Sequence, residues 1–113
     1  MKQIHLYIFG IGNVGGTLID QVLQSQSFFK QQHHIDLRIV GLANSKRVLI
    51  DLEGISLDWK EKFGTRSGIR ESDSFYKISS LYDATKIAVD ATASKEVSLV
   101  YPELLENDFN IVT

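Results

Sequence analysis

The residues with the clearest chemical potential lie near the N-terminus. Gly10-Ile11-Gly12-Asn13-Val14-Gly15 spells G-x-G-x-x-G, with Gly16 directly after it. The pattern alone is weak, because it recurs by chance, and its context gives it meaning. It follows a short β-branched and aromatic run, Ile4-His5-Leu6-Tyr7-Ile8-Phe9, and opens a segment with helical apolar spacing. At such a strand-to-helix turn each glycine has its own task. Gly10 permits the tight turn, Gly12 lets the backbone approach a pyrophosphate with no Cβ in the way, and Gly15 lets helix and strand pack closely. The free N–H groups of the first helical turn and the positive end of the helix dipole then hold the phosphates of a dinucleotide. The competing reading is a plain turn that binds nothing.

Two further segments bear on the same chemistry. After the second apolar run the chain reads Gly41-Leu42-Ala43-Asn44-Ser45-Lys46-Arg47, with no carboxylate. Sites for NAD usually place an acid here against the ribose 2′-hydroxyl, and sites for NADP tolerate or need a cation. Lys46 and Arg47 would attract a 2′-phosphate, so the residues lean towards NADP over NAD; the alternative is a solvated turn. The third segment is Asp90-Ala91-Thr92-Ala93-Ser94, at the carboxyl end of another apolar run. Ligands of open α/β sheets lie beyond those ends. Thr92 and Ser94 can offer hydroxyls or N–H groups to the nicotinamide half, although Ser94 can equally cap the next helix. No other chemistry stands out. His5, His33 and His34 have no acidic partners at metal-ligand spacing, cysteine is absent, and no nucleophile elbow or general base is evident. No catalytic and no metal-binding residue is assigned.

Elements must hold these segments in place. Residues 4–9 read as a buried strand in which only His5, taken as exposed at the strand end, is polar. Val14, Leu18, Ile19, Val22 and Leu23 make one face of a helix from Val14 to Gln26. The polar stretch from Ser25 to His34 reads as a frayed end plus a connection, with Phe28 and Phe29 packing under the sheet edge. Ile35–Ala43 is a second strand, completing a right-handed βαβ unit. Val48–Asp51 is a short strand or a tucked loop, and Asp58 caps a short helix holding Trp59 and Phe63. Gly64–Gly68 reads as a mobile loop, and Asp73–Tyr82 as a helix. Ile87–Ala91 is a strand, followed by a helix from Ser94 that Pro102 should kink or break. Phe109–Thr113 begins a last strand on which the chain ends. The expected fold is α/β: a Rossmann-type doubly wound parallel sheet, one domain over residues 1–113, truncated at its C-terminal end.

Composition agrees with that class. The chain has 113 residues, 43% hydrophobic and 23% charged, as in an ordinary globular domain. A net charge of −2 gives nucleic acid no basic surface. No apolar run approaches the ~20 residues that cross a bilayer, so no membrane partner is expected. The lack of cysteine and of a basic leader favours the cytoplasm.

Together these segments resemble the N-terminal, dinucleotide-binding part of homoserine dehydrogenase, above all the dehydrogenase portion of bifunctional aspartokinase–homoserine dehydrogenases. The resemblance runs through Phe9–Gly16, His34–Ser45, Gly54-Ile55-Ser56-Leu57-Asp58-Trp59, Val89–Ser94 and Ile111-Val112-Thr113, nearly the whole chain. It implies a parent oxidoreductase of threonine and methionine biosynthesis that interconverts aspartate 4-semialdehyde and homoserine with NADPH or NADH. It also implies that Gly12, Asn13 and Val14 lie at the pyrophosphate, Asn44 and Ser45 near the adenosine ribose, and Thr92 near the nicotinamide ribose. Ala93 departs from a frequent serine. The implied catalytic groups, a lysine just past Thr113 and acids of a substrate domain, are absent, so this chain should bind cofactor without catalysis. The dimer contacts of the resembling enzymes lie largely in that absent part, and an exposed last strand could pair with a second copy. Two other readings are a non-catalytic nucleotide-sensing Rossmann module and the cofactor domain of another amino-acid or semialdehyde dehydrogenase. The missing acid after the second strand counts against the first, and the Ala-Asn-Ser and Asp-x-Thr-x-Ser segments against the second.

Overall fold

The computed structural model describes residues 1–69, 84–92 and 101–113. Its strands are β1 (Lys2–Phe9), β2 (Ile35–Ala43), β3 (Arg47–Ile50), β4 (Gly68–Ile69), β5 (Thr85–Asp90) and β6 (Phe109–Val112). Its helices are α1 (Asn13–His33), α2 (Trp59–Arg66) and α3 (Tyr101–Glu106). The strands form one six-stranded sheet in the order β4-β3-β2-β1-β5-β6. The chain thus winds outward from β1 to one edge, then returns to the other side of β1. The point of return lies between β1 and β5, where ligands of open sheets bind.

Strands β2, β1, β5 and β6 run parallel, but β3 and β4 are antiparallel additions. The expected doubly wound parallel sheet is present in these four strands, and the antiparallel edge extends it for a simple reason. A parallel return needs a crossover of about a dozen residues, whereas β2 and β3 are joined by a tight turn in which Asn44 N–H reaches the Arg47 carbonyl at 3.0 Å. Val48–Asp51, left open between strand and loop, is therefore mostly strand. The expected loop at Gly64–Gly68 is also replaced: Gly64 sits in α2 and Gly68 in β4, paired with Val48. Its partners come from twenty positions away, where a local reading cannot see them.

The core is split by the sheet. On one face Leu6, Ile8, Ile39 and Leu42 meet Ile19 of α1 and Trp59 and Phe63 of α2. On the other, Tyr7, Phe9, Val40 and Ala88 meet Leu104 of α3 and Phe109. Full burial of one such side chain contributes on the order of 1.5–3 kcal/mol, so the strands nearest the return point are the best anchored. Trp59 also donates its indole N–H to Asp20 at 3.0 Å, tying α2 to α1. Asp58 precedes α2 but does not cap it, because its carboxylate instead accepts the Ser56 hydroxyl at 2.6 Å.

Helix α1 runs 21 residues, through the polar stretch expected to fray. Gln26 anchors that half by donating to the Leu37 carbonyl at 2.9 Å. Lys30 and His33 suit the negative end of the helix dipole, and His34, in the left-handed region at φ 53°, returns its N–H to Phe29. Phe28 is not under the sheet: it is 55% exposed and stacks edge-on with Phe29 and His33.

His5 also departs from expectation, at 4% exposure. It sits in register with Arg38 of β2 and Lys86 of β5. Burial first, then the Arg38 charge, hold its pKa below the usual histidine value, against a smaller opposing effect of Asp36. The unfolded chain therefore takes up the proton more readily. The His5 contribution to stability is complete above the ordinary value of about 6.5 and is lost as pH falls below it. We expect the melting temperature to drop on acidification from pH 7 to 5, and His5→Gln to remove part of that drop. A variant with an unchanged pH profile would refute this.

Candidate functional site

Three strand ends meet where the chain reverses its winding. Gly10, just past β1, donates its N–H to the Ala43 carbonyl at the end of β2, at 2.8 Å. Ala91, just past β5, donates to the Phe9 carbonyl, also at 2.8 Å. The three segments singled out in the sequence are thus joined by backbone hydrogen bonds, in a fixed relation to one another.

The glycines divide by what surrounds them. Gly10 lies at φ +97°, and a Cβ there would stand 2.8 Å from Thr92 Cγ2 and 3.0 Å from the Ala91 carbonyl. A Cβ on Gly15 would fall on the Gly10 carbonyl, 2.7 Å from its carbon. Both are demanded by the fold itself. Gly12 is different: it is exposed, and a Cβ there would meet nothing within 4 Å. Nothing among the described residues requires a glycine at this position, so the space in front of it is room for something else.

Gly12 is also the N-cap of α1. Among the described residues no side chain caps this helix end, and its first turn carries no acid. The first intrahelical bond runs from Gly16 N–H to the Gly12 carbonyl at 2.7 Å, which leaves the amides of Asn13, Val14 and Gly15 at the helix mouth. Asn13 is exposed, and Val14 is 73% exposed. An open glycine before an uncapped 21-residue helix suits an anionic diphosphate, both sterically and by the dipole.

At the end of β2, Asn44 organises the turn to β3. Its Oδ1 accepts the N–H groups of Lys46 at 2.9 Å and Arg47 at 2.7 Å. The two cations then part. The Arg47 guanidinium turns to Ser67, donating to the hydroxyl at 2.9 Å and to the carbonyl at 2.6 Å. Lys46, like Ser45, is exposed, with no ion pair among the described residues. Paired in the sequence, the two differ in role: Arg47 braces the edge strand and Lys46 faces solvent.

At the end of β5 the Thr92 hydroxyl donates to Asp90 Oδ1 at 2.6 Å, and the Thr92 N–H to the same oxygen at 3.0 Å. Tyr101 of α3 donates its hydroxyl to Asp90 Oδ2 at 2.5 Å. Burial pushes the Asp90 carboxyl up, but these bonds outweigh it and hold the group below the usual carboxylate value. The bond to Asp90 in turn raises the Tyr101 phenol. Asp90 has no role legible in the sequence, and Tyr101 no signal at all, because its link to Asp90 spans eleven residues and matches no local pattern. Ser94 lies outside the described residues, as does the helix expected at Asp73–Tyr82.

Other features lie elsewhere. A cavity of about 380 Å³ opens between Gln26, Lys30, Asp36, Arg38 and Glu53, near the start of β2 and away from the glycine turn. Among the described residues no group of three or more His, Asp or Glu could hold a metal ion. None of the described helices is long and apolar enough to cross a membrane.

Comparison with known proteins gives this geometry a context. Residues 10–113 match the family model "Homoserine dehydrogenase, NAD binding domain". A bifunctional aspartokinase/homoserine dehydrogenase of Haemophilus influenzae is 29% identical over 114 aligned residues, covering 99% of this chain and 14% of that protein. Two solved structures share the fold. One is a Candida auris protein of unknown function, with TM-score 0.70, 19% identity, and coverage of 98% of this chain and 30% of the other. The second is homoserine dehydrogenase from Thermoplasma acidophilum, with TM-score 0.61, 21% identity, and coverage of 97% and 34%. The chain spans a small part of each of these proteins.

Proposed function

The chain belongs to the family of homoserine dehydrogenase NAD-binding domains, and from that premise we propose that it binds an NAD(P) dinucleotide across the return point of its sheet. The observation that carries this is the open position of Gly12 between two glycines that the fold fills. The diphosphate lies on the α1 N-terminus, over Gly12, Asn13 and Val14. The adenosine ribose lies by the Asn44–Ser45 turn, and the nicotinamide half beyond Gly10 towards Ala91–Thr92, with Ser94 next in the chain. Bound there, the nicotinamide would exchange a hydride with a carbonyl substrate. The residues of this chain bind and orient it, and none is assigned to proton transfer.

NADP is favoured over NAD because Lys46 is exposed beside the ribose position while none of the described residues places a carboxylate there. Arg47 is committed to Ser67, so the preference rests on Lys46. Calorimetric titration should find NADP bound more tightly than NAD, and Lys46→Glu should reverse that order, a swing of about tenfold or more for a charge reversal beside a phosphate. Equal affinities, unchanged in the variant, would remove the preference.

The parent reaction in this reading is the NAD(P)-dependent interconversion of aspartate 4-semialdehyde and homoserine, in the biosynthesis of threonine and methionine. Substrate-binding and catalytic groups then belong to another part of the polypeptide, and the 113 residues alone bind cofactor without turnover. A cytoplasmic setting, suggested by the cysteine-free composition, and self-pairing along β6, the last strand of the sheet, complete the reading.

A further inference from the structure

Asp90 is the last residue of β5, and its carboxylate gathers three donors from two directions. Thr92 supplies a hydroxyl and an N–H to one oxygen, at 2.6 and 3.0 Å. Tyr101 supplies its hydroxyl to the other at 2.5 Å. Tyr101 belongs to α3, whose Leu104 is 1% exposed, and its own ring packs on the same apolar cluster. The far end of this link is therefore well anchored.

The near end has little slack. A Cβ on Gly10 would come within 2.8 Å of Thr92 Cγ2, so the threonine methyl already lies against the glycine turn. Thr92 is β-branched, and χ1 decides together where its hydroxyl and methyl point. While the hydroxyl is held on Asp90, the methyl lies on Gly10. Without the two bonds to Asp90, the χ1 setting they impose on Thr92 weakens, and with it the place of the methyl against Gly10.

We propose that Asp90, braced by Tyr101, is a positioning residue for the cofactor: it holds the Ala91–Thr92 turn so that the nicotinamide half of a dinucleotide has room beyond Gly10. This rests on the dinucleotide reading above. Asp90 acts through Thr92 and does not itself touch the ligand. What matters is the bracket of acceptors rather than the negative charge. Asparagine can replace it, since its oxygen accepts both Thr92 donors and its NH₂ donates to the Tyr101 hydroxyl oxygen.

The test compares two ligands on the 113-residue chain: NADP, and adenosine diphosphate, which keeps the adenosine and diphosphate but lacks the nicotinamide riboside and the 2′-phosphate, the latter assigned above to the Lys46 end of the site and so common to parent and variant. Affinities are followed by amide NMR titration. In Asp90→Ala the dissociation constant for NADP should rise by at least about tenfold, while that for adenosine diphosphate moves by less than about twofold. Asp90→Asn should restore NADP binding close to the parent value. Tyr101→Phe, which leaves both Thr92 bonds in place, should cost NADP a few-fold with adenosine diphosphate unmoved, and it carries the test if Asp90→Ala fails to fold. Equal weakening of both ligands would make the cluster merely structural and overturn the proposal. So would no weakening at all, or an Asp90→Asn loss as deep as that of alanine. If the parent chain binds no dinucleotide, the reading of the preceding section is what fails.

Discussion

Replacing Gly12 by valine is expected to abolish dinucleotide binding and to leave the fold standing. No atom of the described residues lies within 4 Å of a Cβ at this position, and its φ of −73° is open to any residue. The only internal cost is that of a poor N-cap, at most about 1 kcal/mol, or a fall of a few degrees in melting temperature for a domain this size. A bound diphosphate must lie against this same backbone, and valine's two γ-methyl groups would occupy its place. The loss should be about a hundredfold or more in affinity, because both the close approach and the helix-mouth amides become unreachable. Paired calorimetry and thermal melts check it. A variant that melts normally and binds normally would show that the phosphates go elsewhere.

Gly15→Ala should do the reverse, by striking the fold. Its Cβ would fall on the Gly10 carbonyl. Both obstacles are backbone, so no side chain can swing aside, and α1 must lift off the end of β1. Overpacking a core by a methyl group commonly costs about 1–3 kcal/mol. A direct backbone collision belongs at or beyond the top of that range, a large share of the roughly 5–15 kcal/mol that holds a domain together. Gly16→Ala is the control one residue along. Its Cβ would meet Ile11 O and the Trp59 ring at 3.7 Å, an ordinary contact, and alanine gains about 1 kcal/mol in helix propensity. Chemical denaturation should therefore show Gly15→Ala severely destabilised and Gly16→Ala unchanged or improved. Similar stability for the two would mean that helix and turn do not close as described.

The three glycines thus do different work, divided as the pattern led one to expect: the turn at Gly10, an open face at Gly12 and close packing at Gly15. The pattern did place the turn, because strand, glycines and helix were consecutive. The ends of β2 and β5 were equally readable from their apolar runs. What escaped was whatever depends on partners distant in the chain. The antiparallel edge came with β3 folding back on the end of β2, Gly41 pairing with Ile50, which no local pattern marks. Gly68 became strand because β3 lay beside it. His5, polar and placed at the start of an apolar run, read as exposed until two neighbouring strands covered it. The roles of Lys46 and Arg47 diverged because Ser67 claimed one of them, and Asp90 gained its purpose from Tyr101. In each case residue type was visible and the partner was not.

The account stands or falls on whether one ligand touches all three strand ends. Titrating NADP into ¹⁵N-labelled chain and following backbone amides tests this directly. The expected result is saturable shifts at Gly10–Gly15, at Asn44–Lys46 and at Ala91–Thr92, with the amides around Gln26, Arg38 and Gly54 unmoved. Shifts centred on that second group, or a folded chain whose glycine-turn amides stay still at saturating NADP and NAD, would contradict it.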